Sequence, residues 1–145
     1  MKVREAMTGD VLLVDPNQPI RHVARMMADH DIGAIPVAQD DRLVGMVTDR
    51  DITVRAVAAG RDADTPVGDV MSREVMYCFE DDDLNDVAAN MGDIQVRRLP
   101  VVNRDKRLVG IVSLGDVAAC EDAKETGKAM AGIFSPGGTH SQSSH

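Results

Sequence analysis

Apolar and polar positions in the first part of the chain follow two periods in turn. The apolar run Val11–Val14 predicts a short strand, and Asp15-Pro16-Asn17 after it is a turn signal. From Pro19 onward the apolar residues recur on one face of a helix, namely Ile20, Val23, Ala24 and Met27. Gly33 is expected to end this helical region.

Beyond Gly33 the pattern predicts two strands and a second helix. Ala34–Val37 is expected to form a strand that its proline makes irregular, and Leu43–Val47 the next strand. Thr48 opens a helix that is expected to run to a C-cap at Gly60. This part of the chain therefore predicts the order β-α-β-β-α.

The same pattern then occurs a second time. The segment GMVTDRD at Gly45–Asp51 recurs as GIVSLGD at Gly110–Asp116. Asp81 is expected to be a helix N-cap, and Ser113 is expected to open a last helix that runs through Val117 toward Ala131. The other matching segments are the strand residues Val75 and Met76, the helix face Leu84, Val87, Ala88 and Met91, and the strands Leu99–Val101 and Leu108–Val112.

This internal repeat predicts the architecture. We expect an α/β fold of two β-α-β-β-α repeats, related by pseudo-two-fold symmetry and packed through their sheets. The two halves should pack together because a unit of about 60 residues is marginal alone. The predicted boundaries are 7–64 for repeat 1 and 71–128 for repeat 2, and the Gly/Ser-rich residues 133–145 are predicted to form a flexible tail.

Composition narrows the possible partners. The net charge of −8 would repel a phosphate backbone, and an aromatic content of 2% leaves few stacking platforms, so nucleic acid is not expected as a partner. No apolar run is long enough to span a bilayer, and the first residues lack a signal-type stretch, so we expect a cytoplasmic protein without a membrane partner. Cys78 and Cys120 are interpreted as buried or idle thiols, with a bridge or redox role as the alternative.

The segments Thr48–Asp51 and Ser113–Asp116 are the strongest candidates for chemistry. Each has a hydroxyl residue followed three positions later by an aspartate, directly after a glycine-led apolar strand. The structural interpretation is a capping box that satisfies helix amides. The functional interpretation is a nucleotide site, with phosphate on the helix amides and a ribose diol on the carboxylate. Spacing alone leaves both interpretations open.

With these segments in register, the chain resembles a tandem cystathionine β-synthase (CBS) domain pair, also called a Bateman module, over residues Val3 to Ala123. The resemblance is carried by the openings VREAMT and VGDVMS, the hydrophobic-Pro-Val strands and the two Gly-led segments ending in Asp51 and Asp116. The order HDIGAIPV, LVGMVTDRDI, QVRRLPVV resembles stand-alone bacterial pairs of the hypoxic response protein type.

The resemblance implies a site for an adenosine ligand such as AMP, ADP, ATP, NAD or S-adenosylmethionine, in clefts between the repeats, with no required cofactor. It implies that Asp51 and Asp116 contact ribose hydroxyls, and that Thr48 and Ser113 lie near phosphate or ribose. It also implies that residues at the proline strands line the base and phosphate and that first-strand residues pack on the base: Gly33, Ala34, Ile35, Pro36, Arg97, Arg98, Leu99 and Pro100, with Val11, Leu12, Val75 and Met76.

The two implied sites differ in charge. The second repeat offers Arg97 and Arg98, whose guanidinium groups suit phosphate. The first repeat has a glycine and an alanine there, so its phosphate would need Arg50 or an arginine from the other repeat. Gly115 stands in the second repeat where Arg50 stands in the first, which leaves the start of its helix less crowded. We predict tighter adenine-nucleotide binding by the second repeat.

Other candidate residues carry weaker signals. Asp81-Asp82-Asp83 is interpreted as the acidic first turn of a helix, with a cation site as the alternative. His22 and His30 are interpreted as surface residues, and His140 and His145 lie in the predicted tail, where they could bind metal adventitiously. Five methionines are expected to serve in packing: Met26, Met27, Met71, Met76 and Met91.

These observations favour a regulatory sensor of adenine nucleotides. The resemblance implies a homodimer, and the chain shows no attached catalytic, channel or transporter domain, so the sensor is expected to act in trans on an unidentified protein target. The alternative is a ligand-free stress-response dimer that uses its surface for protein contacts. An enzyme is not expected, because no set of nucleophile, base and orienting residue is legible.

Overall fold

The structure is a computed structural model that describes residues 1–120 and 123–134 and separates into two compact units. The first-repeat unit contains residues 12–75 and 106–108. The second-repeat unit contains residues 1–11, residues 76–105 and the described residues from 109 onward. Both units combine helices with a small sheet, which confirms the predicted α/β class.

The first-repeat unit is built around one helix and a two-stranded sheet. Its elements are α1 (Ile20–His30), β1 (Ala34–Gln39), β2 (Arg42–Thr48), α2 (Asp49–Asp51) and a π-helical segment (Ile52–Val57) that continues α2. β1 and β2 are antiparallel, with an irregularity between Val37 and Ala38, as expected of a strand that contains proline.

The second-repeat unit has the corresponding elements, with two described helical segments at its end. They are β3 (Cys78–Phe79), α3 (Leu84–Ile94), β4 (Arg98–Val102), β5 (Leu108–Ser113), α4 (Leu114–Cys120) and α5 (Ala123–Ile133). The sheet order is β3-β4-β5, and β3 lies parallel to β4.

The first strand of each repeat is shorter than predicted and lies further along the chain. Of Val11–Val14 only Val14 pairs, by donating its N–H to the Pro36 carbonyl and accepting from the Ala38 N–H. The predicted strand residues Val75 and Met76 likewise precede β3. The neighbouring strands contain Pro36 in β1 and Pro100 in β4, and a proline has no N–H to donate. The first suitable backbone donor therefore lies beyond each proline, which confines the pairing to the few positions given above.

Several predicted helix ends are wrong by one or two residues. α1 ends at His30, and its C-cap is Asp31, in the left-handed conformation with φ 52°, and not Gly33. Asp83, not Asp81, is the N-cap of α3, because its carboxylate accepts from the N–H groups of Asn85 and Asp86. The second helix of repeat 1 ends at Val57, and its C-cap is Ala58, two residues before Gly60.

The final helical region is described on both sides of residues 121 and 122. α4 covers Leu114–Cys120 and α5 covers Ala123–Ile133, and the two residues between them, which the predicted last helix includes, lie outside the described residues. Of the predicted tail 133–145, Ile133 ends α5 and Phe134 follows it, while residues 135–145, including His140 and His145, lie outside the described residues.

Each unit completes its core with the opening segment of the other repeat. The first-repeat core packs α1 and β1 residues against Val67, Val70 and Met71, which belong to the segment VGDVMS that opens repeat 2. The second-repeat core includes fully buried Val3 from the start of the chain, with Met7 packed against it. The sequence pattern did not predict this exchange of leading segments.

Two glycines make the exchange possible. A Cβ atom on Gly45 would lie 2.6 Å from the Sδ of Met71, and one on Gly110 would lie 2.6 Å from the Sδ of Met7. The same segments extend the sheets, since Ser72 pairs with Met46 of β2 through two backbone hydrogen bonds of 2.8 and 2.9 Å. The glycine of each Gly-led segment is therefore required by the segment that packs on it, since a Cβ would also lie 2.7 Å from the Ser72 carbonyl oxygen at Gly45 and 2.8 Å from the Thr8 carbonyl oxygen at Gly110.

Candidate functional site

The two hydroxyl–aspartate segments form the same capping box in each unit. Asp51 accepts the Thr48 N–H at 2.9 Å and donates its own N–H to the Thr48 hydroxyl at 3.0 Å. Asp116 accepts the Ser113 N–H at 2.8 Å and donates its N–H to the Ser113 hydroxyl at 3.1 Å. The structural interpretation is confirmed, and both carboxylates are held in a fixed orientation at a strand end.

A basic neighbour distinguishes the first carboxylate from the second. The Asp51 side chain is 16% exposed, and the Nε of Arg55 lies 3.7 Å from its Oδ1. Arg55 also donates to the Met71 carbonyl at 3.3 Å. Cys120, an exposed free thiol, occupies the matching position of the second repeat. Arg55 was not among the predicted site residues, although its i,i+4 spacing from Asp51 was legible.

The residues that precede each proline strand lie directly beside these capping boxes. The Asp49 N–H donates to the Gly33 carbonyl at 2.9 Å, and the Leu114 N–H donates to the Arg97 carbonyl at 2.9 Å. Position 33 therefore corresponds to position 97, and position 49 to position 114. In the first repeat the Asp49 carboxylate lies against Gly33, 3.1 Å from where a Cβ would be.

In the second repeat the same place carries cations. Arg97 and Arg98 are both exposed at the start of β4, and Gly115 next to the capping box is exposed as well. The Arg97 guanidinium lies over the ring of Phe134, 4.8 Å from its centroid. Phe134 follows α5 and was not predicted as a site residue, because no local pattern links it to Arg97.

Some predicted site residues do not present their side chains. Ile35 and Leu99 are 0% and 1% exposed and belong to the two cores, and Pro36 and Pro100 are buried. These residues shape the strands, and only their backbone could face a ligand. Ala34, by contrast, is half-buried.

The residues predicted to pack on a base are divided between the units. Leu12 and Val75 belong to the first-repeat unit, whereas Val11 and Met76 belong to the second-repeat unit. Met76 is 58% exposed, so its predicted role in the core is wrong. It lies in the exposed stretch before β3, where the chain has not yet entered the sheet.

Each aspartate of the triplet Asp81-Asp82-Asp83 has a structural role. Asp83 caps α3, Asp82 accepts the Phe79 N–H at 2.9 Å, and Asp81 forms an ion pair with Arg104 at 2.8 Å. The hydrogen bond from Arg104 lowers the pKa of Asp81. Across residues 1–120 and 123–134, no three His, Cys, Asp or Glu side chains come together to form a potential metal site.

The two cysteines are free thiols in contrasting surroundings. Cys78 is buried in β3 and directs its Sγ at the Pro100 carbonyl, 3.8 Å away. Burial, with the charge of Asp82 as the smaller cause, raises the pKa of Cys78 to about 12. Cys78 is therefore a packing residue at neutral pH.

The chain belongs to the CBS domain family, whose pattern matches residues 3–57 and again residues 67–121. It is thus a CBS pair, a module that is typically regulatory rather than catalytic. The CBS domain-containing protein YhcV of Bacillus subtilis is 45% identical over 132 residues, which cover 90% of this chain and 94% of that protein. Hypoxic response protein 1 of Mycobacterium tuberculosis is 38% identical over 117 residues, covering 79% and 81%.

Solved CBS pairs share the fold. A hypoxic response protein with two coordinated zinc ions has a TM-score of 0.74 at 37% identity, covering 82% of this chain and 98% of that one. The MJ0100 pair, in complex with 5′-methylthioadenosine and S-adenosylmethionine, has a TM-score of 0.70 at 27% identity, covering 82% and 98%. CBSX2 in complex with AMP has a TM-score of 0.72 at 26% identity, covering 81% and 93%.

None of the described helices is both long enough and apolar enough to cross a bilayer.

Proposed function

We propose that this chain is a sensor of adenosine ligands that acts in trans on a protein target as a homodimer. The observation that carries the proposal is the pair of identically held carboxylates, Asp51 and Asp116, each fixed by two hydrogen bonds at the end of a strand. A carboxylate of fixed orientation is suited to accept hydrogen bonds from a ribose diol. Two CBS pairs of the same fold are complexed with adenosine compounds, which supports this choice of ligand.

At the second site, we propose that Arg97 and Arg98 bind the phosphate group of the ligand. Both are exposed, and Arg97 is joined through its carbonyl to the residue that follows Ser113. In a nucleotide, only one sugar ring separates the ribose diol from the 5′-phosphate. We therefore propose that a nucleotide whose diol contacts Asp116 places its 5′-phosphate within reach of these cations. We therefore propose tighter binding of AMP, ADP, ATP or NAD by the second repeat, in the cytoplasm, where the adenine nucleotide pool lies.

The test is calorimetry and thermal shift with AMP, ADP, ATP, NAD and S-adenosylmethionine. Wild type is compared with Asp51→Asn and Asp116→Asn, because an asparagine still offers one oxygen to the capped N–H and so isolates the ligand role. We expect binding that Asp116→Asn weakens about tenfold or more for AMP. A ligand present at a hundredfold excess over its dissociation constant should stabilise the fold by about 3 kcal/mol.

The competing function is a ligand-free dimer that acts through protein contacts. It predicts no thermal shift with any of the five compounds and identical behaviour of the two asparagine variants. That result, from folded protein, would replace the sensor proposal.

A further inference from the structure

We propose that the first-repeat site selects an adenosine compound without a 5′-phosphate, while the second-repeat site takes the phosphorylated form. This inference rests on the proposed function, since it names the ligand class of each proposed site. The two sites would then report different members of the adenosine pool rather than the same nucleotide twice.

Two pairs of residues occupy equivalent positions in the two units. Gly33 and Asp49 are joined by a backbone hydrogen bond of 2.9 Å, and Arg97 and Leu114 by one of the same length. In each repeat the pair lies where the start of the proline-containing strand, β1 or β4, is adjacent to the capping box. The same location beside the ribose-binding carboxylate therefore carries different side chains in the two units.

The charge at this location is opposite in the two units. In the first repeat the Asp49 carboxylate lies on Gly33, with Oδ2 at 3.1 Å from the ideal Cβ position, and Ala34 adds no charge. In the second repeat Arg97 and Arg98 are exposed, and the residue that replaces Asp49 is the apolar Leu114. A 5′-phosphate is repelled by the first arrangement and attracted by the second.

Arg50 does not reverse this balance. It directly follows Asp49, and its backbone N–H donates to the Asp49 Oδ1 at 2.8 Å. The Asp49 carboxylate is therefore held in place by the backbone of its own loop. The guanidinium of Arg50 adds one positive charge to a loop that already carries the negative charges of Asp49 and Asp51. Arg55 is paired with Asp51 at 3.7 Å, on the ribose side of the site.

The decisive comparison is between adenosine and AMP, which differ only in the phosphate. Calorimetry on the full chain carrying Asp116→Asn, which disables the second site, isolates the first. We expect this variant to bind adenosine about tenfold more tightly than AMP in low salt, with the ratio shrinking as salt screens the exposed carboxylate. The Asp51→Asn chain should show the reverse order.

A single neutral substitution then tests the cause. Adding Asp49→Asn to the Asp116→Asn chain should raise AMP affinity severalfold and leave adenosine affinity unchanged, so that the ratio approaches one. Asp29→Asn is the matched control, because it removes the charge of an exposed carboxylate on α1 of the same unit and leaves Asp49 in place. This control should leave the ratio at its starting value.

The outcomes separate the inference from the function beneath it. If the Asp116→Asn chain binds AMP as tightly as adenosine or more tightly, the inference is overturned and the sensor proposal is retained. The same holds if Asp49→Asn leaves the ratio of the two affinities unchanged. Failure of wild type to bind adenosine or any of the five compounds named above removes both. Circular dichroism of each variant confirms that the comparison is made between folded chains.

Discussion

At the scale of single residues, Cys78 and Cys120 show how position sets the chemistry of a thiol. Cys78 is buried in β3 with its pKa raised to about 12, whereas Cys120 is exposed at the end of α4. Only a thiolate attacks an alkylating reagent, and only an accessible one is reached. The two cysteines of this chain should therefore differ widely in reactivity.

We expect iodoacetamide at pH 8 to modify Cys120 alone in the native protein and both cysteines in denaturant, as read by intact mass. Rapid double labelling of native protein would contradict this. Because the folded pKa of Cys78 is raised above the ordinary 9.0, its contribution to stability is complete below about pH 9 and declines as the pH rises toward 12. A Cys78→Ala chain should lack this alkaline decline.

At the scale of elements, α5 is held on α3 by residues with little or no side chain. A Cβ on Gly132 would lie 2.5 Å from the Gly92 carbonyl oxygen, and Ala129 approaches Gly92 closely from the same helix. Gln95 adds a hydrogen bond of 3.0 Å to the Gly132 carbonyl. The side of α5 that carries Ala129 and Gly132 thus packs within its own unit.

Gly132→Ala should lower the stability of the second-repeat unit by about 1–3 kcal/mol, because the helices cannot keep this distance with a methyl group between them. Gly127→Ala on the same helix is the control, since a Cβ there has nothing within 4 Å. It should stabilise α5 by about 0.5–1 kcal/mol through helix propensity. Thermal melts in which both variants fall equally would refute this account of the packing.

The residue that directly follows α5, Phe134, positions Arg97. The Phe134 ring lies 4.8 Å from the guanidinium carbon, and a guanidinium stacked on a ring keeps its N–H groups free in its plane. Cation–π contacts at exposed sites contribute about 0.5–1 kcal/mol.

Phe134→Ala should therefore weaken AMP binding by the second site about threefold, measured by calorimetry on the Asp51→Asn chain. Met130→Ala is the matched control, because Met130 is also an exposed apolar residue and lies in α5. Tighter binding of AMP by the Phe134 variant would mean that the ring obstructs Arg97 instead.

Much of the element pattern was predictable from the sequence because each element has a clear period. The apolar face of α3, from Leu84 to Met91, is buried as predicted, and both capping boxes form where the spacing placed them. The first strands failed, because four apolar residues at Val11–Val14 cannot show that only Val14 finds a partner. Asp49 and Phe134 were missed because their neighbours, Gly33 and Arg97, are distant in sequence.

The arrangement of the whole molecule was the least predictable level. Met7 and Met71 are alike, and so are Gly45 and Gly110, so the sequence fits equally well whether each methionine packs on its own repeat or on the other. The structure places Met71 on Gly45 and Met7 on Gly110. Such an exchange is invisible to a repeat pattern, since both choices bury the same residue types.

The exchange can be tested with two fragments of equal length. Residues 12–75 keep Val67, Val70 and Met71 with the first-repeat core, whereas residues 1–64 lack them and carry Val3 without its partners. Loss of three buried side chains costs several kcal/mol, more than a unit of this size can lose. We expect circular dichroism to show cooperative melting only for residues 12–75, and comparable melting of residues 1–64 would contradict the exchange.

The crossed leading segments also bear on how such a chain can arise. A lone ancestral repeat built in this way could not close its own core, and it would have to borrow the leading segment of a second molecule. Gene duplication and fusion would then turn a swapped dimer into a single polypeptide, in which the leading segments are exchanged within one chain. In such a lineage the duplicated halves cannot separate again, because each holds a part of the other's interior.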